Sequence, residues 1–223
     1  MSLPFVAKPL KNLNCDDKIL YPYLVCSEKD RQTFLNDPSQ DSYYLESFVS
    51  GESWYLLYYF DHEGRFWSGS QRNLLQQGHG KSVLLARAQP YPDNRIVAAL
   101  AERFRLDGYR GFVMVEIRRT DGDSVAIEAN PRCWGPLQLT LDAKMGIFEA
   151  FLNDYGFDVE IPTLPRQGVE YLWTAGILQA LRKRIGLASH APWRSVAGAL
   201  SRVLADVYAR PDSWACYGRE FSR

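Results

Sequence analysis

Apolar positions recur along the 223-residue chain with two periods, and the switch between them divides it into short strands and short helices. Phe5 to Ala7 predicts a strand closed by Lys8-Pro9, because proline has no backbone N–H to continue a ladder. A polar loop follows around Asn12 to Asp17. Ser27 then reads as the N-cap of a helix through about Leu35, with Asp30 at the capping-box position. Tyr43 to Val49 and the aromatic-rich Trp54 to Phe60 predict strands, and His62-Glu63-Gly64-Arg65 predicts a hairpin turn. The polar, Gly-bounded stretch SGSQRNLLQQGHG, residues 68 to 80, predicts a mobile loop before a strand at Ser82 to Ala88. Apolar residues at 96, 97, 100, 101 and 104 give Asn94 to Phe104 one buried helical face. Strands at 111 to 119 and 124 to 130 precede helices at Pro136 to Lys144 and Phe148 to Tyr155. From Pro165 the composition changes: Glu170 to Ile185 and Trp193 to Tyr208 predict two helices, followed by an irregular aromatic and charged end. The expectation is an α+β fold with antiparallel sheets and packed helices, plus a C-terminal helical extension.

The bulk numbers narrow the function. With 46% hydrophobic and 23% charged residues the chain is a folded protein, not a disordered one. Lys plus Arg and Asp plus Glu both count 26, so no global field draws it to nucleic acid or an anionic membrane. Any anion site has to be built locally. Cys15, Cys26, Cys133 and Cys216 form no CxxC pair and have few histidines near them, which argues against zinc and for reduced thiols in a cytoplasmic protein. No apolar run reaches the roughly 18 to 20 residues needed to span a bilayer. Pro4-Phe5-Val6-Ala7-Lys8-Pro9 reads as a strand already under way, so a preceding part of a longer polypeptide is expected to be missing, with the first two or three residues an added start.

The chemistry concentrates in one hairpin. GFVMVEIRRT and SVAIEAN are separated by Asp121-Gly122-Asp123, which predicts a three-residue loop with Gly free to take a positive φ. In that register residue numbers of facing pairs sum to 244, and Glu116 faces Glu128. Asn130 shares the face of Glu128, while Val113, Val115 and Ile117 share the other face with Val125, Ile127 and Ala129, leaving one greasy face and one acidic face. Like charges set opposite each other destabilise a sheet, so the pair requires a bound cation, a raised pKa or a neutralising arginine. Two carboxylates and an amide oxygen make a hard oxygen site of the kind magnesium shares with substrate phosphates. The plainer alternative is a surface network in which Arg118 pairs with Glu128 across the diagonal.

These residues resemble a family. Glu116 followed by Glu128-Ala129-Asn130-Pro131-Arg132-Cys133-Trp134-Gly135 is similar to the end of the ATP-binding core of ATP-grasp enzymes, in the branch of the carbamoyl-phosphate synthase large chain, where a strand acid precedes E-x-N-P-R-x-W-G. Pro4 to Pro9 resembles the strand whose lysine contacts nucleotide phosphates, and Tyr44 to Glu52 resembles the hinge strand that meets adenine; the likeness covers about residues 4 to 160. It implies a partial small subdomain over 4–50, a large subdomain with the metal site over 51–160, and the extension over 165–223. It further implies that Glu116, Glu128 and Asn130 hold magnesium, or manganese, and that Arg132 faces the phosphate or an acyl phosphate. Lys8 would contact the α- or β-phosphate. Glu46 and the backbone near Val49 would read adenine, and Glu52 or Ser53 would lie near the ribose. Arg72, His79 and Lys81 would close over the γ-phosphate. The segment Lys11 to Asp17 departs from the pattern, having no glycine-rich phosphate loop.

The resemblance thus implies an ATP- and magnesium-dependent ligase joining a small-molecule carboxylate to an amine or thiol through an acyl phosphate, with an N-terminal domain or partner subunit missing from this chain and the chain by itself inactive. Two other readings stay open: a non-catalytic nucleotide-binding or scaffold module, and an ordinary α+β domain whose acids pair with arginines. Trp134 is expected to support the turn after Asn130, and Cys133 to be a small packed residue without an adjacent base. Arg182, Lys183 and Arg184 suit the end of a helix.

Overall fold

The computed structural model describes residues 1–11, 13, 19–78, 82–200 and 206–221, with the backbone alone at 195, 199, 200, 217, 220 and 221. Much of the polar loop at 12–17, together with His79 and Lys81, lies outside the described residues. The chain divides into two compact units, residues 1–50 and 51–223.

The first unit is a three-stranded antiparallel sheet with one helix. Its strands are β1 (Phe5–Pro9) and β2 (Tyr23–Val25), followed by helix α1 (Glu28–Leu35) and strand β3 (Tyr43–Ser47), in the sheet order β2-β1-β3. Ser27 caps α1 as expected: its Oγ accepts from Asp30 N at 3.2 Å, and Asp30 Oδ2 accepts from Ser27 N at 2.9 Å. Phe5, Ala7 and Val25 point to one face, where Phe34 of α1 closes a small core. Lys8 and Val6, on the alternate positions, point to the other.

The second unit is built around one seven-stranded antiparallel sheet. In chain order it comprises β4 (Glu52–Phe60), β5 (Phe66–Gln77), β6 (Val83–Ala88), α2 (Asn94–Leu106), β7 (Gly111–Arg119), β8 (Ser124–Asn130), α3 (Leu137–Asp142) and α4 (Ile147–Asp154). The tail adds β9 (Glu170–Leu172), α5 (Thr174–Arg182), β10 (Leu187–Ser189), α6 (Trp193–Leu200) and α7 (Trp214–Phe221). The sheet order is β8-β7-β4-β5-β6-β9, with β10 pairing the end of β5.

Strand β4 explains the packing. Nearly every residue from Trp54 to Phe60 is apolar and buried, because both of its faces are covered. Trp54, Leu56, Tyr58 and Phe60 meet Val113, Val115 and Ile117 of β7 under the apolar stripe of α2. Tyr55, Leu57 and Tyr59 meet Met114 under Leu139 of α3 and Ile147 and Ala150 of α4. The division into a greasy face and an acidic face is therefore corrected: both are apolar over most of their length, and the acids occupy one end of the second.

Four sequence expectations change. Residues 68 to 77 are not a mobile loop but most of β5, whose backbone pairs with β4 up to Asn73, with β6 over Gln71 to Gln76 and with β10 over Leu75 to Gln77. Some of its polar side chains are met by tertiary hydrogen bonds, such as Asn73 Nδ2 to Ser53 Oγ at 3.0 Å, while both amide atoms of the buried Gln76 have no partner among the described residues. Residues 170 to 185 are not one helix, since Glu170–Leu172 joins the sheet edge beside β6 before α5 begins. Of the helix expected from Trp193 to Tyr208, Trp193–Leu200 is helical, 201–205 lie outside the described residues, and Asp206 is not helical but forms a bridge with Leu172. The chain end is helical over Trp214–Phe221, not irregular.

Candidate functional site

The hairpin of β7 and β8 sets Glu116 directly opposite Glu128, and Met114 opposite Asn130. It reaches that register by a different route from the one expected. Thr120 N donates to Asp123 O at 2.9 Å, so the loop is the two residues Asp121-Gly122, with Gly122 at φ +109°. Facing numbers next to the turn therefore sum to 243, as in Arg118 with Val125. A bulge between Ile117 and Glu116 absorbs one extra residue of β8 and restores 244 at the acids. The shorter turn sets Ala126, not Ile127, opposite Ile117, and Ile127 is the extra residue of the bulge.

Asn130 stays on the face of Glu128, and its Nδ2 donates to Glu128 Oε1 at 2.6 Å. Arg118 pairs with Glu116, not Glu128: Nη2 donates to Glu116 Oε1 at 2.9 Å. The other arm of the same guanidinium, Nη1, lies 3.1 Å from Nδ1 of His190. A guanidinium only donates, so the imidazole accepts and is neutral. Burial first and the Arg118 charge second lower the His190 pKa to about 4.

Glu116, Glu128 and Arg132 line one cleft of about 440 Å³, with the phenol of Tyr55 at its floor. Tyr55 registers the charges around it. Burial raises its pKa, Glu116 and Glu128 raise it further, and Arg118 and Arg132 act against them. Two carboxylates and two guanidinium groups thus act with opposite sign on one hydroxyl. Arg132 is exposed and donates from Nη1 to Cys133 O at 3.0 Å. Cys133 is exposed too, so its expected packing is corrected; partial burial still raises its thiol pKa. Trp134 is buried behind the turn, with Nε1 donating to Thr140 Oγ1 at 3.1 Å.

Among the described residues no group of three or more His, Cys, Asp or Glu side chains could hold a metal ion. The donor set here is two carboxylates and an amide. That set fits magnesium, which takes few protein oxygens and completes its shell with water and phosphate. It does not fit zinc or copper, which would draw on imidazole or thiolate.

No known family model matches the sequence, and no curated protein matches it. Solved structures do. Against N5-carboxyaminoimidazole ribonucleotide synthetase from Thermus thermophilus the TM-score is 0.56 at 20% identity, over 74% of this chain and 45% of that one. Against the T882A variant of Rhizobium etli pyruvate carboxylase, solved with acetyl coenzyme A, the TM-score is 0.47 at 18% identity, over 74% of this chain and 16% of that one. The fold is the ATP-grasp fold. The chain spans less than half the length of either protein.

Within the ATP-grasp fold the remaining expected residues fall into three places. Lys8, Glu46 and Val49 belong to the first unit. Lys8 faces Tyr44 and Val6 faces Glu46 across β1 and β3, so Lys8 and Glu46 are diagonal neighbours and pair at 2.7 Å. Val49 follows β3. Ser53 lies on the face of the acids, opposite Arg118, but is fully buried. Glu52 lies on the other face, held by Arg72 at 2.7 Å, Arg119 at 3.5 Å and Trp54 Nε1 at 3.1 Å.

Arg72 requires a correction. It is not in a loop over the cleft; it sits in β5 opposite Trp54 and so points to the face away from Glu116. Four contributors were missed altogether. His190 arrives from beyond β10, and Tyr171, Trp173 and Tyr208 from the tail form one wall of the cleft. Only the aromatic richness of the tail hinted at them.

Proposed function

We propose that this chain carries the metal and phosphate site of an ATP- and magnesium-dependent ligase of the carbamoyl-phosphate synthase-like branch, one that joins a carboxylate to an amine or thiol. In that reaction the carboxylate attacks the γ-phosphorus of ATP and releases ADP; the amine or thiol then displaces phosphate from the acyl phosphate and loses a proton. The observation that carries the reading is the opposition of Glu116 and Glu128 at the mouth of a cleft that also holds Arg132.

Magnesium, when bound, neutralises charge on the transferring phosphoryl group. Glu116 and Glu128 would hold it, with the Asn130 oxygen as third protein donor. Asn130 fixes the Glu128 carboxylate, and Arg118 fixes that of Glu116, so neither has to reorganise during the reaction. Arg132 offers exposed donors to the phosphate or acyl phosphate. Lys8 acts as a point charge on the α- or β-phosphate, and Glu46 and the Val49 backbone meet adenine. Of the two ribose candidates, Ser53 shares the face of the acids but is buried and Glu52 lies on the other face, so neither is singled out. Lys81 keeps its role over the γ-phosphate. Because the chain spans less than half of the structures it matches, the full activity is proposed for an assembly that includes the N-terminal domain or partner subunit the resemblance implies.

Glu128→Gln tests the reading. Removing one of two facing carboxylates relieves repulsion, so thermal stability should hold or rise slightly, by about 0.2–1 kcal/mol. The magnesium-dependent part of ATP binding should fall roughly tenfold or more, and carboxylate-dependent ADP release should stop. Undiminished magnesium-dependent binding and turnover would overturn the assignment. The Arg118–Glu116 pair favours a second reading, a scaffold whose acids are neutralised internally; wild-type protein with no magnesium-dependent nucleotide binding would support it.

A further inference from the structure

The cleft has two chemically distinct walls. One carries charge: Glu116, Glu128 and Arg132. The other is aromatic and, apart from Tyr55 of β4, comes from the tail: Tyr171 in β9, Trp173 immediately after it, and Tyr208 beyond Asp206. Three aromatic side chains beside a charged site are not needed to bind magnesium or phosphate, which interact with oxygen and cationic groups.

The aromatic wall is held in place. Asp206 accepts from Thr174 N at 2.6 Å and from Tyr208 N at 2.8 Å, tying the segments bearing Trp173 and Tyr208 to each other. The indole of Trp173 lies flat against Gly176, where even a methyl group would approach Trp173 Cε3 to 2.2 Å. The Trp173 Nε1–H is buried and meets no acceptor among the described residues. That N–H has no accessible surface, so Trp173 can meet a ligand in the cleft only through its ring atoms.

We infer that the tail selects the carboxylate substrate, and that this substrate has a flat, aromatic or heteroaromatic body. The carboxylate faces Arg132, and the ring packs among Tyr171, Trp173 and Tyr208. The volume, about 440 Å³, lies in the range of small-molecule sites. The inference rests on reading this cleft as the ligase's reaction site, but it is testable without turnover.

Ligand-observed NMR titration of the whole protein with phenylacetate, acetate and benzylamine provides the test, with Mg-ADP titrated separately by calorimetry. Phenylacetate should bind roughly tenfold or more tighter than acetate, and better than benzylamine. Trp173→Leu should cut the phenylacetate-to-acetate ratio about threefold or more. Should that variant fail to fold, Tyr208→Leu should lower the same ratio. Equal binding of the two carboxylates, binding of neither, a preference for benzylamine, or a ratio unchanged in the folded variants would overturn the inference. Aryl preference without Mg-ADP binding would instead sink the ligase reading, and Mg-ADP binding without aryl preference would sink only the inference.

Discussion

Arg118 spans an acid and an imidazole, and both contacts shape how the protein responds to pH. It neutralises Glu116, one of two facing carboxylates, while its other arm keeps His190 as an acceptor. The folded His190 pKa, about 4, is below its usual 6.5, so between those values the unfolded chain binds the extra proton. Stability should therefore be fully present above about pH 6.5 and decline as pH falls toward 4. Urea unfolding across that window should show the decline, and His190→Gln, which cannot titrate, should flatten it; an unchanged slope would remove His190 from the account. The opposition of Glu116 and Glu128 was legible in the sequence because a hairpin register is local. Which acid Arg118 chooses was not, because its second partner lies 72 residues away. Arg72 was misassigned for a related reason: the face a strand residue takes follows from its neighbours, and Arg72 was not recognised as part of a strand.

Among elements, β5 and β8 show what pattern reading misses. The polar run Ser68 to Gln77 lacks the apolar alternation of a half-buried strand, yet its backbone pairs with β4, β6 and β10 in turn. Gln71 and Asn73 are fully buried, and Gln71 Nε2 donates to Asn73 Oδ1 at 2.8 Å, so these two groups are met inside the fold instead of by water, while Gln71 Oε1 has no partner among the described residues. In β8 two departures cancel: the turn is one residue shorter than expected, and a bulge adds that residue back before the acids. The first turn of α5 depends on a residue too small to show in a periodicity, Gly176, which admits the Trp173 indole. Gly176→Ala should cost about 1–3 kcal/mol by overpacking, despite alanine's better helix propensity. Urea midpoints measure it, and a stabilised variant would show that the indole is free to move.

At the scale of the molecule, the tail is part of the sheet that carries the site. Strand β9 extends the edge beside β6, β10 pairs the end of β5, and Asp206 ties 206–208 back to Thr174. Asp206 is buried, and Asp206→Ala would strand three donors: Thr174 N, Thr174 Oγ1 and Tyr208 N. The expected loss is about 1–3 kcal/mol. Hydrogen exchange should rise first in 170–176 and 206–210, ahead of β4 and β7; uniform protection would argue against a separately anchored tail. No helix among the described residues is long and apolar enough to cross a membrane.

The amino-acid order alone determined the α+β character, the capped first helix, the buried aromatic strand at Trp54 to Phe60 and the hairpin bearing two acids, because each depends on residues within a few positions of one another. Tertiary structure alone decided that 68–77 is a strand, that Arg72 turns away from the cleft, that His190 braces Arg118, and that the tail builds the aromatic wall. Those outcomes are set by burial and pairing between segments far apart in the chain, where the partner that satisfies a polar group is chosen by the fold and leaves no mark on the local pattern.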